Sequence, residues 1–191
     1  MEKKLRNAFS HFIDFTDSEW LEVSNILVEK KYDKGEFFIQ EGEYCNYVGF
    51  INEGLFSYYY LIDGNQYTRQ FFFANNFISN FPSFLTNKKS KAIIQALEKS
   101  SVILIHRDHL SQLYLKAPKF QQLGRMIAEN LFLIISEKYE SFLLESAEER
   151  YLNLIKNRPK VIQNIPQYMI ASYLGITPEG LSRIRKRLAG R

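Results

Sequence analysis

The sequence predicts an α+β protein with an N-terminal antiparallel β-barrel or jelly roll, a long helix and a C-terminal helix-turn-helix. Three observations carry this prediction. Between residues 36 and 106, short aromatic and β-branched runs alternate with turn residues. From Lys119 to Glu145 nothing breaks a helix except the mild weakness of Gly124. Residues 165–188 have the caps and apolar spacing of two short helices joined by a tight turn.

The segment before the barrel, residues 1–32, is predicted to be helical. Thr16 and Glu19 have the spacing of a capping box, and apolar residues from Trp20 to Leu27 follow on one face. Asp33-Lys34-Gly35 then turns the chain.

The barrel is predicted from six strand-like runs, which are separated by glycine-containing turns near Gly42, Gly54 and Gly64. The predicted strands are Phe37–Ile39, Tyr47–Ile51, Leu55–Ile62, Gln66–Phe73, Ala92–Leu97 and Ser101–Ile105.

A short helix is expected over residues 107–117, followed by the long helix over residues 119–145. At 1.5 Å per residue the long helix would span roughly 40 Å. It is apolar over more than one stripe, which favours packing on its own domain and on a second copy of the chain. The predicted dimer contacts are Leu123, Ile127, Leu131 and Ile134. The alternative is a helix that packs only within its own chain.

In the C-terminal motif, Pro166 can begin the first helix and Gly175 can end it, whereas Thr177 caps the second helix and Pro178 opens it. Leu181, Ile184 and Leu188 recur at helical spacing, so polar and basic residues remain on the other side. The predicted DNA-binding residues are Gln167, Thr177, Glu179, Ser182, Arg183, Arg185, Lys186 and Arg187. The alternative is an ordinary helical hairpin with a basic exposed face.

The charge distribution agrees with a nucleic-acid-binding C-terminus. The chain of 191 residues has a net charge of +4. Residues 150–191 contain nine Lys or Arg against the single acid Glu179, a balance of +8, which leaves −4 on residues 1–149. A basic end on a mildly acidic body indicates a DNA-binding unit beside a sensor or scaffold, with double-stranded DNA as the partner.

Other chemistries have little support in the sequence. Cys45 is the single cysteine, so neither an intramolecular disulfide nor an all-cysteine metal site is expected. His106 and His109 are spaced for a metal, but only His11 remains as a third histidine, which argues against a cupin-like barrel enzyme. We expect no catalytic residues, no metal and no certain cofactor. No signal peptide or membrane span is expected, and a cytoplasmic location fits.

The order of helix, aromatic barrel, long helix and helix-turn-helix resembles the Crp/Fnr family of bacterial transcription regulators over essentially the whole chain. The barrel turns at Gly35, Gly42, Gly49 and Gly54 are similar to the family's turn glycines, and Thr177 to Arg183 resemble its recognition helix. The resemblance implies a cyclic-nucleotide-binding-like barrel, a dimerisation helix, a homodimer that reads an inverted repeat, and RNA polymerase as a candidate partner.

The resemblance also locates an effector pocket, in which this sequence departs from nucleotide-binding members. Ser79-Asn80 replace a Gly-Glu pair that meets the ribose, and Ser90-Lys91, next to Lys89, replace an Arg-Ser pair that holds the cyclic phosphate. Ile135-Ser136 stand where a Thr-Ser pair can reach the base. A lysine is only a point charge for phosphate, so the sequence argues against cyclic AMP and leaves open whether another small-molecule effector binds.

The sequence therefore predicts a sensor barrel over residues 1–118, a dimerisation helix over 119–145 and a DNA-binding domain over 146–191. The segment from Ser146 to Arg150 is expected to be a hinge, or a helix cap, into the DNA-binding domain. Because the sequence stops at Arg191, the β-hairpin wing that family members often add is expected to be incomplete or absent. The alternative function is a ligand-binding barrel whose C-terminal unit docks a protein partner.

Overall fold

The structure is a computed structural model that describes residues 2–190. Met1 and Arg191, where the predictions about the two chain ends fall, lie outside the described residues. In the described range the helices are α1 (Glu2–Ser10), α2 (Asp17–Ser24), α3 (Phe81–Thr86), α4 (Arg107–Lys116), α5 (Pro118–Leu144), α6 (Ala147–Asn157), α7 (Pro159–Asn164), α8 (Gln167–Leu174) and α9 (Pro178–Ala189). The strands are β1 (Leu27–Tyr32), β2 (Phe37–Ile39), β3 (Tyr47–Glu53), β4 (Leu55–Ile62), β5 (Asn65–Phe73), β6 (Phe77–Ile78), β7 (Ile93–Ala96) and β8 (Ser100–His106).

The chain divides into two compact units. The first unit contains residues 1–58 and 71–130, and the second contains residues 59–70 and 131–191. The second unit thus combines the tip of the β4–β5 hairpin with the end of α5 and helices α6 to α9. The division into three segments at residues 118 and 145 stays a prediction.

Two four-stranded sheets form the barrel, in the orders β1-β8-β3-β6 and β2-β7-β4-β5. In the first sheet β8 pairs antiparallel with both β1 and β3, and Phe50 lies opposite Ile103. The predicted α+β fold with an antiparallel β-barrel is therefore confirmed, and all six predicted strands are present within a few residues of their predicted ends.

One face of the first sheet packs against helices. Phe50, Ile103 and Ile105 form a buried cluster with side chains of the N-terminal helices, α4 and the beginning of α5. The helical contributors are Leu5, Phe9, Trp20, Val23, Leu113, Phe120 and Leu123. Burying one such large apolar side chain stabilises the fold by about 1.5–3 kcal/mol.

The prediction that residues 1–32 are all helical is wrong for residues 11–16, which connect α1 and α2, and for residues 27–32, which form β1. Glu29, Lys30 and Lys31 are good helix formers, but β1 gains a full ladder of backbone hydrogen bonds with β8. β1 is an edge strand, and its exposed charges discourage pairing with another chain.

Four further elements were not predicted from the sequence. β6 has two residues and α3 has six, so neither is long enough to show a periodicity. α6 and α7 fill residues that the sequence analysis described only as a hinge or cap and a basic segment. The remaining helix predictions are confirmed: α4 and α5 begin and end within one residue of the predicted bounds.

Candidate nucleic-acid interface and effector site

The C-terminal helix pair turns at Gly175. Its φ of +72° is left-handed, a region that glycine enters without a side-chain penalty, and the Ile176 N–H donates to the Ala171 carbonyl at 3.0 Å. The Thr177 hydroxyl then accepts a hydrogen bond from the Gly180 N–H at 3.1 Å, and Pro178 begins α9. An N-cap of this kind is worth about 1 kcal/mol of stability. The predicted helix-turn-helix is thus built from the predicted caps.

The inner side of α9 is closely packed. Leu181 and Ile184 are buried, as are Ile170, Ala171 and Leu174 of α8. Ala171 has no measurable exposure, and its small side chain lets the two helices approach closely. This packing determines which side of α9 faces outward.

The outer side of α9 carries the predicted DNA-binding groups. Glu179, Ser182, Arg183 and Lys186 are all exposed, and at 100° per residue they lie within one third of the helix circumference. A hydrogen bond from its own backbone N–H, another from Thr177 and the charge of Arg183 hold the pKa of Glu179 below its usual value. Glu179 and Arg183 therefore lie on the same exposed side at the beginning of this helix, close enough for the charge of Arg183 to act on the carboxylate.

The other predicted DNA-binding residues lie in different surroundings. Gln167 is exposed at the first residue of α8, and Thr177 is exposed but uses its hydroxyl as the cap. Arg185 projects to the side of α9, where it lines a shallow groove with Tyr151 of α6. Arg187 forms an ion pair with Glu148, so part of its charge is neutralised within the chain.

Arg150 connects three segments of the second unit, a role that the sequence did not indicate. Its guanidinium donates to the Leu174 carbonyl at the end of α8 at 3.1 Å and to the Glu145 carbonyl after α5 at 2.6 Å. It also lies 4.8 Å from the centre of the Phe142 ring. Because the last carbonyls of a helix have no partner within the helix, a cation at this position is favourable.

α6 begins at the predicted cap. Ser146 and Glu149 form a complete capping box, in which the Ser146 hydroxyl accepts from the Glu149 N–H at 3.2 Å and the Glu149 carboxylate accepts from the Ser146 N–H at 2.7 Å. These hydrogen bonds lower the pKa of Glu149. The cap places Arg150 in the first turn of α6.

The tip of the β4–β5 hairpin is hydrogen-bonded to α8 within the second unit. The Ser172 hydroxyl accepts from the Thr68 N–H at 2.8 Å and donates to the Gln66 carbonyl at 2.9 Å. Lys138 of α5 donates to the Arg69 carbonyl and lies 3.8 Å from the centre of the Tyr173 ring. Burial, together with the charges of Arg158 and Arg69, lowers the pKa of Lys138 to about 7.

The predicted effector positions in the barrel form a neutral polar cluster. Asn80 and Ser90 are 3% and 4% exposed, and the Asn80 amide donates to the Ser90 hydroxyl at 2.5 Å. The Ser90 hydroxyl in turn donates to the Ala92 carbonyl at 2.6 Å. Ser79 is also buried, and its hydroxyl donates to the Tyr47 carbonyl at 3.0 Å. Asn80 and Ser90 thus bond each other, and Ser79 bonds the backbone, where the resemblance implies groups that hold a nucleotide.

The cationic candidates for that pocket, Lys89 and Lys91, are exposed. Ile135 and Ser136 lie on the part of α5 that belongs to the second unit, with Ile135 exposed and Ser136 half-buried. The structure thus brings together Ser79, Asn80 and Ser90 but adds no buried positive charge to them.

The predicted dimer residues of α5 divide between two faces. Leu123 is buried, at 6% exposure, and Ile127 packs against the same cluster, so both serve the core of the first unit. Leu131 is half-buried and Ile134 is exposed. Another apolar stripe of α5 is more exposed: Phe132, Ile135 and Tyr139 are 68%, 52% and 64% exposed.

Other site chemistry finds little support in the described part of the chain. Cys45 is buried, and its sulfur lies within hydrogen-bond distance of the Tyr47 carbonyl and the Ser79 hydroxyl. Residues 2–190 contain no group of three or more histidine, cysteine, aspartate or glutamate side chains able to hold a metal. No helix in this range is both long enough and apolar enough to span a membrane.

Comparison with known proteins agrees with this architecture. Residues 29–117 match the family model of the cyclic nucleotide-binding domain, and no curated protein matches the sequence. The chain therefore contains a domain of the cyclic-nucleotide-binding type, followed by a long helix and a helix-turn-helix.

Solved structures extend the likeness to the whole chain. A protein assigned to the crp/fnr family of transcriptional regulators from Eubacterium rectale has a TM-score of 0.73 at 14% identity, over 96% of this chain and 88% of that chain. FixK2 from Bradyrhizobium japonicum has a TM-score of 0.70 at 22% identity, over 86% and 85%. CLP, the c-di-GMP responsive global regulator from Xanthomonas campestris, has a TM-score of 0.68 at 16% identity, over 92% of each. The chain has the fold of the Crp/Fnr regulators, which confirms the resemblance at the level of the fold.

Lys138 should make stability depend on pH. In the unfolded chain a lysine has a pKa near 10.4, whereas the folded value is about 7. Between these values the unfolded state binds the extra proton, so the contribution of Lys138 to the free energy of unfolding rises with pH. Below about pH 7 both states are protonated and the contribution is constant. We therefore expect the stability of the native chain, relative to Lys138→Met, to increase from pH 7 to 9 in urea titrations.

The exposed Lys186→Met serves as the control for this titration, and its stability difference from the native chain should be nearly constant over the same range. A constant difference for Lys138→Met as well would show that Lys138 keeps its proton in the folded state.

Calorimetry with cyclic AMP or cyclic GMP should show no binding at physiological concentrations. The reason is that Asn80 and Ser90 satisfy each other and that no buried cation accompanies them. Saturable micromolar binding that disappears in a Lys89→Ala, Lys91→Ala double variant would contradict this prediction and assign the missing arginine's role to those lysines.

Proposed function

We propose that the chain is a sequence-specific DNA-binding transcription regulator of the Crp/Fnr type, which acts as a homodimer on an inverted repeat. The observation that best supports this proposal is the division of α9 into a buried side and an exposed, charged side. One side of this helix is buried through Leu181 and Ile184, and the opposite side presents Glu179, Arg183 and Lys186 from a capped beginning. Recognition helices present their first turns to base edges in the major groove.

The side chains at the beginning of α9 suit direct readout. An arginine can donate two hydrogen bonds to guanine O6 and N7, and a glutamate can accept from a cytosine amino group. The charge of Arg183 already acts on Glu179, so the carboxylate would also orient the guanidinium. The resemblance to a Glu-x-x-Ser-Arg recognition helix supports a half-site that contains a G·C pair.

Phosphate contacts supply affinity without sequence information. Lys186 is the exposed cation of α9 best suited to this role, because the Arg187 guanidinium is paired with Glu148. We infer a smaller contribution from Arg187 than the sequence alone predicted. Binding should weaken steeply as salt increases, which would separate DNA binding from the alternative of a docked protein partner.

The exposed stripe of α5 supports the homodimer. Phe132, Ile135 and Tyr139 follow the three- and four-residue spacing of a coiled-coil seam. Large apolar side chains that lie together on a surface indicate an interaction site. A two-fold axis along this seam would relate two copies of α9 and match a palindromic operator. A cytoplasmic location and contact with RNA polymerase remain predictions from the sequence.

Replacing Arg183 should relax base specificity. Arg183→Ala is expected to reduce the binding free energy by about 1–3 kcal/mol per half-site and to remove the base preference at one base pair. Lys186→Ala is the matched control. It should weaken binding to all DNA sequences similarly and reduce the salt dependence of binding. The measurement is selection from random DNA with the native chain and both variants. An unchanged motif for Arg183→Ala together with an altered one for Lys186→Ala would mean that the opposite side of α9 reads the bases.

A charge on the exposed stripe of α5 should separate the protomers. Ile135→Glu is expected to give a folded monomer with weak DNA binding, because one copy of α9 then reads a single half-site. Leu115→Glu on α4 is a matched control, since Leu115 is an exposed leucine away from the stripe. Sedimentation velocity at micromolar concentration gives the mass of each species, and a monomeric native chain would contradict the dimer.

A further inference from the structure

The first unit contains a cavity of about 270 Å³ that lies apart from the effector positions of the barrel. Its walls come from the helix-packed face of the first sheet and from α1, α3, α4 and α5. Most of the lining is apolar, with Phe50, Ile105, Phe84, Leu110, Leu123 and Ile127 as examples from different walls. Ser79, Asn80 and Ser90 are not among the lining residues. Protein interiors contain few voids larger than a water molecule, so a cavity of this size indicates a binding site.

Polar groups converge on one region of this apolar lining. They belong to Arg107, Ser111 and Tyr114, which lie within eight residues around the beginning of α4. The Ser111 hydroxyl already donates a hydrogen bond to the Arg107 carbonyl at 2.9 Å. The Arg107 guanidinium and the Tyr114 hydroxyl are therefore the groups that can receive a ligand.

Arg107 is half-buried and contacts neutral oxygens only. Its guanidinium donates to the Asn46 side-chain oxygen at 2.8 Å and to the Phe84 carbonyl at a longer 3.3 Å. Among residues 2–190, no carboxylate lies within ion-pair distance of this guanidinium. A half-buried guanidinium beside an apolar cavity is suited to a ligand carboxylate, which it can bind through two parallel hydrogen bonds.

Tyr114 places a hydroxyl against the α5 wall of the cavity. A Cβ at Gly124 would come within 2.5 Å of the Tyr114 hydroxyl, so this glycine makes room for the tyrosine. In the described part of the chain the hydroxyl has no hydrogen-bond partner, and burial raises the pKa of Tyr114. It thus remains a neutral donor that can reach a ligand acceptor.

We propose that this cavity binds a small monocarboxylate with an apolar chain, whose carboxylate meets Arg107 and whose chain lies among the apolar walls. The exposed lining residues Leu85 and Ser111 give the cavity its route to the surface near Arg107. A carboxylate at this position keeps solvent on one side, which reduces the cost of burying its charge. The inference goes beyond the proposed function and does not depend on DNA binding.

The test uses decanoate as the probe, below its micelle concentration, and decanol as the uncharged comparison. Calorimetry with the full chain should show saturable binding of one decanoate per chain. Arg107→Met keeps much of the side chain's length but removes its charge. It should weaken the binding of decanoate by about tenfold or more and change the binding of decanol far less. The proposal would be overturned if decanoate showed no saturable binding, or if Arg107→Met reduced the affinity for both compounds equally.

Methyl NMR of the native chain provides a measurement that needs no variant. Decanoate should shift the methyl signals of Ile103, Ile105 and Ile127, which line the cavity. Ile51 and Ile94 are the matched controls, because both are buried in the first unit but do not line the cavity. Shifts confined to the control methyls would place the ligand inside the sheet sandwich and refute the assignment of this site.

Discussion

The guanidinium of Arg150 is the interaction on which the C-terminal unit depends. It binds the last carbonyl of α8 and a carbonyl just after α5, and its own position is set by the capping box that begins α6. Three helix termini are thereby related through one side chain. The orientation of α8 decides that of α9, since Leu181 and Ile184 pack against α8 across the Gly175 turn. The direction of the exposed side of α9 thus depends on a residue that belongs to a different helix, α6.

Sequence periodicity predicted α5 within one residue at each end, but it did not separate the apolar residues that pack inside the first unit from those that stay exposed. Leu123 and Ile127 have the spacing of an interface, and they do form one, with the core of their own unit. Phe132, Ile135 and Tyr139 are as apolar in sequence yet exposed. A helix that is apolar on several sides does not reveal which side faces its own barrel, because that depends on the tertiary position of the sheet. The core contacts and the exposed stripe are thus separated along the helix as well as around it.

The same dependence on tertiary structure explains which other predictions from the sequence were confirmed and which were wrong. Caps and turns, such as Thr177, Gly175 and Ser146, were predictable because their chemistry is local. β1 was not, since its backbone bonds are made with β8, about seventy residues later in the chain. Arg150 and Lys138 were missed for a similar reason. Their partners are carbonyl groups and aromatic rings, which leave no charge pattern in the sequence.

The Asn80–Ser90 pair shows how a nucleotide-type barrel can keep its fold with different chemistry at that position. A buried glutamate and arginine would need each other or a charged ligand, because an unpaired buried charge is costly. Asparagine and serine are neutral, and the hydrogen bonds between them and to the Ala92 carbonyl satisfy this cluster within the chain.

Gly124 is the complementary case. A glycine inside a helix costs roughly 1 kcal/mol relative to alanine, and here it makes room for the Tyr114 hydroxyl beside an apolar cavity. The polar pair needs no ligand to satisfy its hydrogen bonds, whereas the cavity has an unused hydroxyl and a guanidinium without a carboxylate, so ligand recognition in this unit is better supported at the cavity.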